Sequence, residues 1–405
     1  MSRGQLLRGR KEQDAHVGYI ELFFDLVFVF AVTQLSHYLI AHLSPIGVVQ
    51  AAMLFAAVWW AWVYTIWCTN WLNTDAWPVR LMLFLMMAGG LVLAMAIPRA
   101  FETAGLLFAI AFAALQVGRS LFMMAVLYRR KPSNFRNFQR ITLWCAASGA
   151  LWIAGGLAAS EVRIVWWLAA LAVDFAGPSC RFAVPGMGAS ATEDWNVEAH
   201  HLSERCGAFV IIALGESVLL TGATFSGTPW VAGSIVAFVS AFATTAAMWW
   251  VYFNVGAEEA TERFAGAEDT GKVARLSYTY LHMPIIAGII INAASDELVI
   301  AHPLGAGASG HGDGGSNFGV MALLVGGPAL FLFAVLLFKR FTVEGWRLSH
   351  LVGLAALAAL FIAAITLHGI TPLVIGVGVT AIFVMVATWE TLARARPARP
   401  ELSAR

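Results

Sequence analysis

The sequence predicts an all-α, polytopic membrane helix bundle of about 12 transmembrane helices with both termini in the cytoplasm. Three observations lead there. Hydrophobic residues make up 60% of the 405 positions and charged residues 12%, against about 45–50% and about 25% in soluble domains. The apolar residues fall in runs of the length that crosses a bilayer, about 20 residues. The basic residues cluster at alternate ends of those runs. A soluble multidomain enzyme, a disordered chain and a disulfide scaffold are thereby excluded. The 25 Lys+Arg and 24 Asp+Glu nearly cancel, so charge balance points to no nucleic-acid partner.

The first run, 19–42, follows Arg3, Arg8, Arg10 and Lys11. It is too long for a signal peptide and ends in no small-residue cleavage site, so it reads as a retained span. Runs 46–69, 79–98 and 103–128 follow, then 140–158 behind the basic cluster Arg129, Arg130, Lys131 and Arg136, then 162–180. The second series is 205–224, 230–256, 272–292, 318–339, 347–367 and 370–392. No strands are expected, because an open sheet edge cannot face lipid. With the N-terminus inside, every Lys and Arg except Arg99, Arg163 and Arg119 falls on inner segments. That asymmetry is the positive-inside pattern and supports an even span count.

The predicted organisation is a cytoplasmic N-terminal segment 1–18, a first six-helix half 19–180, a cytoplasmic connecting loop 181–204, a second half 205–392 and a cytoplasmic tail 393–405. A weak repeat relates the halves. Glu21 precedes Val27-Phe28-Val29 as Glu204 precedes Val210-Ile211-Ile212; Trp62-Val63-Tyr64 matches Trp250-Val251-Tyr252; Arg80-Leu81 matches Arg275-Leu276. The offsets 183, 188 and 195 rise in order, as two parallel repeats would give. An outer loop is expected over 293–317, Gly-rich from Gly305 to Gly315, with His302, His311 and Asp313 at no metal-binding spacing.

Charges inside the spans are costly and therefore informative. Glu21 and Asp25 are four apart and share a helix face, about 6 Å apart along the axis. Partly desolvated, such a pair favours sharing a proton; Glu21 alone also suits a helix N-terminus. Thr33, Gln34, Ser36 and His37 continue a polar seam. Glu204 and Arg205 open the seventh run and are expected to pair at the interface. Glu216, about 16 Å further on, lies near the midplane beside Gly215 and Ser217. Arg119 reads as the basic residue in the core of a span, with Glu216, Asp25 and Asp174 as candidate partners and Glu216 matching in depth. Asp174 near an inner end reads as a satisfied interfacial acid. His282 stands beside Pro284, which frees a carbonyl about one turn earlier.

The loop acids Glu193, Asp194 and Glu198, with His200 and His201, read as a solvated loop supporting Glu204 and Arg205. Of Trp59, Trp60, Trp62, Trp67, Trp71 and Trp77, those near the end of the second run read as interfacial belt residues, a ligand-stacking site being the second reading. Cys68, Cys145, Cys180 and Cys206 lie apart and in or beside apolar runs, with neither disulfide nor metal spacing. No metal or cofactor is expected.

The strings ELFFDLVFVFAVTQLS at 21–36 and HLSERCGAFVIIALGESVL at 201–219 resemble the bacterial low temperature requirement protein A family. The stretches at 59–81, 115–123 and 280–289 follow the same pattern, and the resemblance runs from about residue 15 to 390. Cys206 departs from it, standing where bulkier apolar residues are usual, and the loop 293–317 is not part of it. The resemblance implies a multispan inner-membrane protein linked by name to growth in the cold, with no reaction or substrate attached. It adds weight to Glu21, Asp25, Arg119, Glu204, Arg205, Glu216 and His282 as motif positions.

The functional expectation is a proton- or cation-coupled secondary transporter for an unknown small solute, with Glu21, Asp25, Arg119, Glu216 and His282 at the intramembrane site. Glu204, Arg205, Asp174 and Ser217 support it. No ATP-binding motif is present, so an ion gradient would drive it. The alternative is a non-transporting scaffold or stress-response protein whose charges are interhelical glue. A lipid-active enzyme is the third class, with no HExxH or GxSxG motif to support it. The expected partners are the bilayer, the solute and the proton or cation, and not nucleic acid; a homo-oligomer is compatible with the sequence.

Overall fold

A computed structural model describes residues 6–8, 17–190, 197–254, 257–305, 314–342, 345–367 and 369–394. Glu193, Asp194, His311, Asp313 and most of the two terminal segments lie outside the described residues. The described chain is helical, with two isolated β-bridges, Leu7 to Leu72 and Val184 to Gly188, and no strand longer than these.

The helices are α1 Tyr19–Ala41, α2 Pro45–Thr69, α3 Trp77–Ala96, α4 Gly105–Leu127, α5 Pro132–Leu157, α6 Ser160–Ser179 and α7 Ala199–Ser226. They continue with α8 Ala232–Trp249, α9 Ala257–Ala265, α10 Thr270–Val273, α11 His282–Ala301, α12 Gly314–Thr342, α13 Leu348–Thr366 and α14 Pro372–Arg394. Among the described residues 11 helical stretches are long and apolar enough to cross a membrane. The twelfth expected span lies in α5, which starts eight residues earlier than expected and takes in Arg136, Asn137 and Arg140. Its apolar part is about 17 residues, the lower limit for crossing.

Local rules account for the ends. The Ser44 side chain accepts from the Gly47 N–H at the start of α2, with Pro45 in the first turn, where its missing N–H costs nothing. A Cβ at Gly47 would lie 2.1 Å from the His42 carbonyl, so only glycine fits there. Before α11 the chain winds as a π-helix over Ala274–Tyr280. Pro284 has no N–H to offer the preceding turn, so α11 restarts at His282 instead of continuing one regular span.

Two loops are shorter than the sequence predicts. α11 runs to Ala301 and α12 begins at Gly314, so the first nine residues of the expected loop 293–317 are helix. Asn292, Ser295 and Val299 bury polar and apolar side chains alike there, and helix satisfies that backbone. Likewise α7 begins at Ala199, inside the expected loop 181–204.

The chain divides by packing into two compact units, Met1–Glu216 with Thr261–Ile290, and Ser217–Ala260 with Ile291–Arg405. The boundaries cross α7 after Glu216, α9 after Ala260 and α11 after Ile290. The two six-helix halves are a proposal about sequence symmetry, distinct from this division. In the first unit α1 packs on α2 and α3, and α4 on α3 and α5, while α6 packs on α5. Gly149 and Gly156 let α5 approach α4: added Cβ atoms would stand 3.0 Å from the Ala113 Cβ and 2.9 Å from the Leu106 Cα. Phe108, Phe112, Trp152 and Trp167 fill the space between α4, α5 and α6. Arg163, expected in an outer loop, is buried there, donating to the carbonyls of Ala100, Glu102, Gly155 and Ala158. In the second unit α14 packs on α8, α12 and α13.

Candidate functional site: a buried ion cluster and an arginine-lined cavity

The structure draws Glu21 and Asp25 together with two residues of α7, His201 and Arg205. The pairing follows from matched spacing. Glu21 and Asp25 are four apart on α1, and His201 and Arg205 are four apart on α7, so each helix presents two groups on one face. His201 Nε2 lies 3.0 Å from Glu21 Oε1, and Arg205 Nη1 donates to the same oxygen at 2.9 Å. Arg205 Nη2 and Nε donate to the two oxygens of Asp25 at 2.5 and 3.2 Å. Since 21 meets 201 and 25 meets 205, α1 and this part of α7 run parallel.

Neighbouring groups complete the cluster. The Trp62 indole N–H donates to Asp25 Oδ1 at 2.7 Å, and the Gly18 N–H to Glu21 Oε2 at 3.0 Å. The Asn70 side-chain amide donates to His201 Nδ1 at 3.3 Å, which leaves the ring proton on Nε2, facing Glu21. Arg205 and both carboxylates are fully shielded from solvent. Two carboxylates share one guanidinium, with Arg8 at 3.9 Å from Glu21.

Several expectations are corrected. Arg205 does not pair with Glu204 at an interface; it turns inward, because buried carboxylates hold a guanidinium more strongly than water-exposed ones. Glu204 accepts from the Val17 N–H. His201 is not in a solvated loop but buried in the first turn of α7. The direct partner of both Glu21 and Asp25 is the Arg205 guanidinium. The belt expectation, which concerned the tryptophans near the end of the second run, is untouched: Trp77 is exposed, while the mid-run Trp59, Trp60 and Trp62 are buried, with the Trp59 N–H on the Thr279 carbonyl.

The remaining predicted residues stand apart from this cluster. Glu216 accepts a hydrogen bond from the Thr33 hydroxyl at 2.5 Å, one more parallel contact of α1 with α7. No Lys, Arg or His among the described residues forms an ion pair with it. Asp174 is buried within the protein and, as expected of a satisfied acid, accepts from the Trp152 N–H at 3.1 Å. His282 Nδ1 lies 2.8 Å from the Ser277 carbonyl, one of those displaced by the π-helix, and its ring stacks on Tyr278. Ser217, in the second unit, hydrogen-bonds with Thr245.

Arg119 does not pair with Glu216. It is 1% exposed and donates to Gln116 Oε1 at 2.5 Å, Thr65 Oγ1 at 3.3 Å and the Ala61 carbonyl at 3.4 Å, all neutral acceptors. Its guanidinium lies over the Tyr64 ring, 5.2 Å from the centroid. It lines a cavity of the first unit. Arg181 and Arg275 line the same cavity.

Sequence reasoning missed a third cluster, in the second unit. Lys339, read as a cytoplasmic charge, is buried and donates to Glu390 at 2.9 Å and to the Val251 carbonyl at 2.8 Å. His350 Nδ1 lies 3.1 Å from the other Glu390 oxygen. Asp296 accepts from the Asn292 side-chain amide at 2.8 Å. The spacing inside each helix holds no signal for Lys339, His350 and Glu390, since they lie on three different helices, whereas Asn292 and Asp296 are four apart on α11. Among the described residues no three His, Cys, Asp or Glu side chains gather as a metal site.

Residues 16–388 match a family model described as "Bacterial low temperature requirement A protein (LtrA)". An uncharacterised protein of Rhizobium meliloti is 41% identical over 401 residues, covering 96% of this chain and 92% of its own length. No solved structure matches.

Proposed function

Because the chain belongs to the bacterial low temperature requirement A family and is a multi-pass membrane protein, we propose that it is a secondary transporter of the inner membrane for a small solute, coupled to protons or cations. One observation carries this reading. The first unit encloses an open cavity with a guanidinium in its wall that no carboxylate of the described residues pairs. A charge kept in such a place at a cost of several kcal/mol is there to meet something that enters.

Glu216 is the coupling group in this proposal. Its described partner is a hydroxyl, so it can change charge without breaking an ion pair. Asp25, placed at the intramembrane site by the sequence, is held by Arg205 and takes a structural part in this reading. The test is solute-dependent proton movement in proteoliposomes of the purified protein. Glu216→Gln is expected to abolish it; a variant that moves protons and solute as well as wild type removes this mechanism.

A second reading has its own observation. The cluster of Glu21, Asp25, His201 and Arg205 is sealed and mutually satisfied, as helix-fixing charges would be. If all the charges are of this kind, the protein is a scaffold or stress-response factor. Glu216→Gln would then leave cold growth intact wherever the protein still accumulates.

A further inference from the structure

The cavity of the first unit is lopsided in charge. Arg119, Arg181 and Arg275 reach its wall, and no Asp or Glu among the described residues does. Asp174 feels Arg119 at longer range, but it stands outside the wall with an oxygen taken by Trp152. Of the acids that suggested a cation-selective interior, Glu21 and Asp25 are held by Arg205 and Glu216 accepts from Thr33.

The hydrogen-bonding groups in the wall are also one-sided. Arg119 has only neutral acceptors. Arg275 reaches a single carbonyl, that of Pro178, at 3.3 Å. The Trp60 indole N–H, fully buried in the same wall, has no hydrogen-bond partner among the described residues. An unmet buried N–H costs about 1–3 kcal/mol, and a buried guanidinium without a counter-charge more. Both costs fall away when an acceptor with negative charge enters.

The rest of the wall is apolar and aromatic. Trp60, Tyr64 and Phe182 face the space, the Tyr64 ring edge-on to Trp60. The segment bearing Phe182 is held in an unusual shape. Arg181 and Phe182 both adopt left-handed backbone, at φ 54° and 49°, which neither residue type favours. Arg181 and Ser190 hydrogen-bond in both directions, each main-chain or side-chain N–H on the other's carbonyl, and the Phe182 N–H donates to the Gly177 carbonyl. Strain kept by such bracing is typical of ligand clamps.

We propose that this cavity binds a small organic anion, its charged head on Arg119, Arg275 and the Trp60 N–H and its apolar body against Trp60, Tyr64 and Phe182. The proposal rests on the carrier reading and names the class of solute. An anion that enters together with a proton crosses the membrane as a neutral pair, which is consistent with Glu216 as the coupling group. The same chemistry is offered by a free organic acid and by an anionic lipid head.

The test is equilibrium dialysis of the full-length protein in neutral detergent with three ligands of one shape: naphthalene-2-carboxylate, naphthalene-2-carboxamide and 2-naphthylmethylamine. The carboxylate is expected to bind at least about tenfold more tightly than the other two. Arg275→Gln, on a partly exposed residue whose one described hydrogen bond is to the Pro178 carbonyl, is expected to weaken it about tenfold, and Arg119→Gln to do so at least as strongly. Equal binding of the amine, or an unchanged affinity in Arg275→Gln, overturns the proposal. Repeating the dialysis in nanodiscs separates the sources. Loss of carboxylate binding in phosphatidylglycerol but not phosphatidylcholine means that a lipid head fills the site, and retention in both means a free acid. Carboxylate-selective binding without uptake in proteoliposomes removes the transport reading and leaves the site. Solute-coupled proton movement without anion selectivity removes the site and leaves transport.

Discussion

Replacing Arg205 by Met removes a guanidinium while keeping most of its volume. In the structure that one group donates to both oxygens of Asp25, to Glu21 and, at 3.5 Å, to Thr69. Three of these four bonds go to carboxylates in a fully buried place. Without it two negative charges face each other about one helical turn apart, with Arg8 at 3.9 Å as the remaining arginine near Glu21. Breaking a buried pair from one side costs about 3–5 kcal/mol. Arg205→Met is therefore expected to lose about that much in an unfolding titration in mixed detergent micelles. Adding Asp25→Asn removes one of the stranded charges, so the double variant should be more stable than the sum of the two single losses by about 2 kcal/mol. Arg205→Lys should recover only part of the loss, since an ammonium cannot span both acids with a planar fork. A double variant additive to within about 0.5 kcal/mol would show that Arg205 and Asp25 do not act as a pair and would refute the cluster as drawn.

The other predictions are simpler. Gly156→Val should separate α5 from α4, because the new Cβ meets backbone 2.9 Å away that cannot yield; overpacking of this kind costs about 1–3 kcal/mol, read in the same titration. In the second unit Lys339→Met should destabilise by about 3–5 kcal/mol by stranding Glu390, and Glu390→Gln in the same chain should restore part of it. Gly177→Ala puts a Cβ 2.9 Å from the Phe182 ring, so it should alter naphthalene-2-carboxylate affinity with little change in stability; an unaltered affinity would place Phe182 away from the ligand. A green fluorescent protein fused after Arg405 should fluoresce, as it does only in the cytoplasm; a dark but full-length fusion would reverse the assigned orientation.

Much of the bundle was legible because the bilayer reads only length and apolarity. The expected runs 46–69 and 162–180 coincide with α2 and α6 to within a few residues. The misjudged stretches are those where burial inside protein replaced contact with lipid. α11 carries Asn292, Ser295 and Asp296 past the point where a lipid-facing helix would end. The first turn of α7 looked solvated because His200, His201 and Glu204 are polar, yet only the partner surface tells which of them faces inward.

The candidate site divides the same way. Glu21 and Asp25 on one helix face is a statement of spacing, whereas His201 shares a face with Arg205 only because α7 begins at Ala199, ahead of the expected run. An α-helix turns the same way whatever its neighbours, so sequence alone determined that face and most of the long apolar helices. Which face meets which was decided only by packing. Arg205 bridges both acids because α1 and α7 run side by side with 21 beside 201. Arg119 was left among neutral groups at a cavity because α2, α4 and the segment 178–190 close around it. Coulomb forces act across space and not along the chain, so the sign of the cavity's charge could be read only once the helices had been assembled.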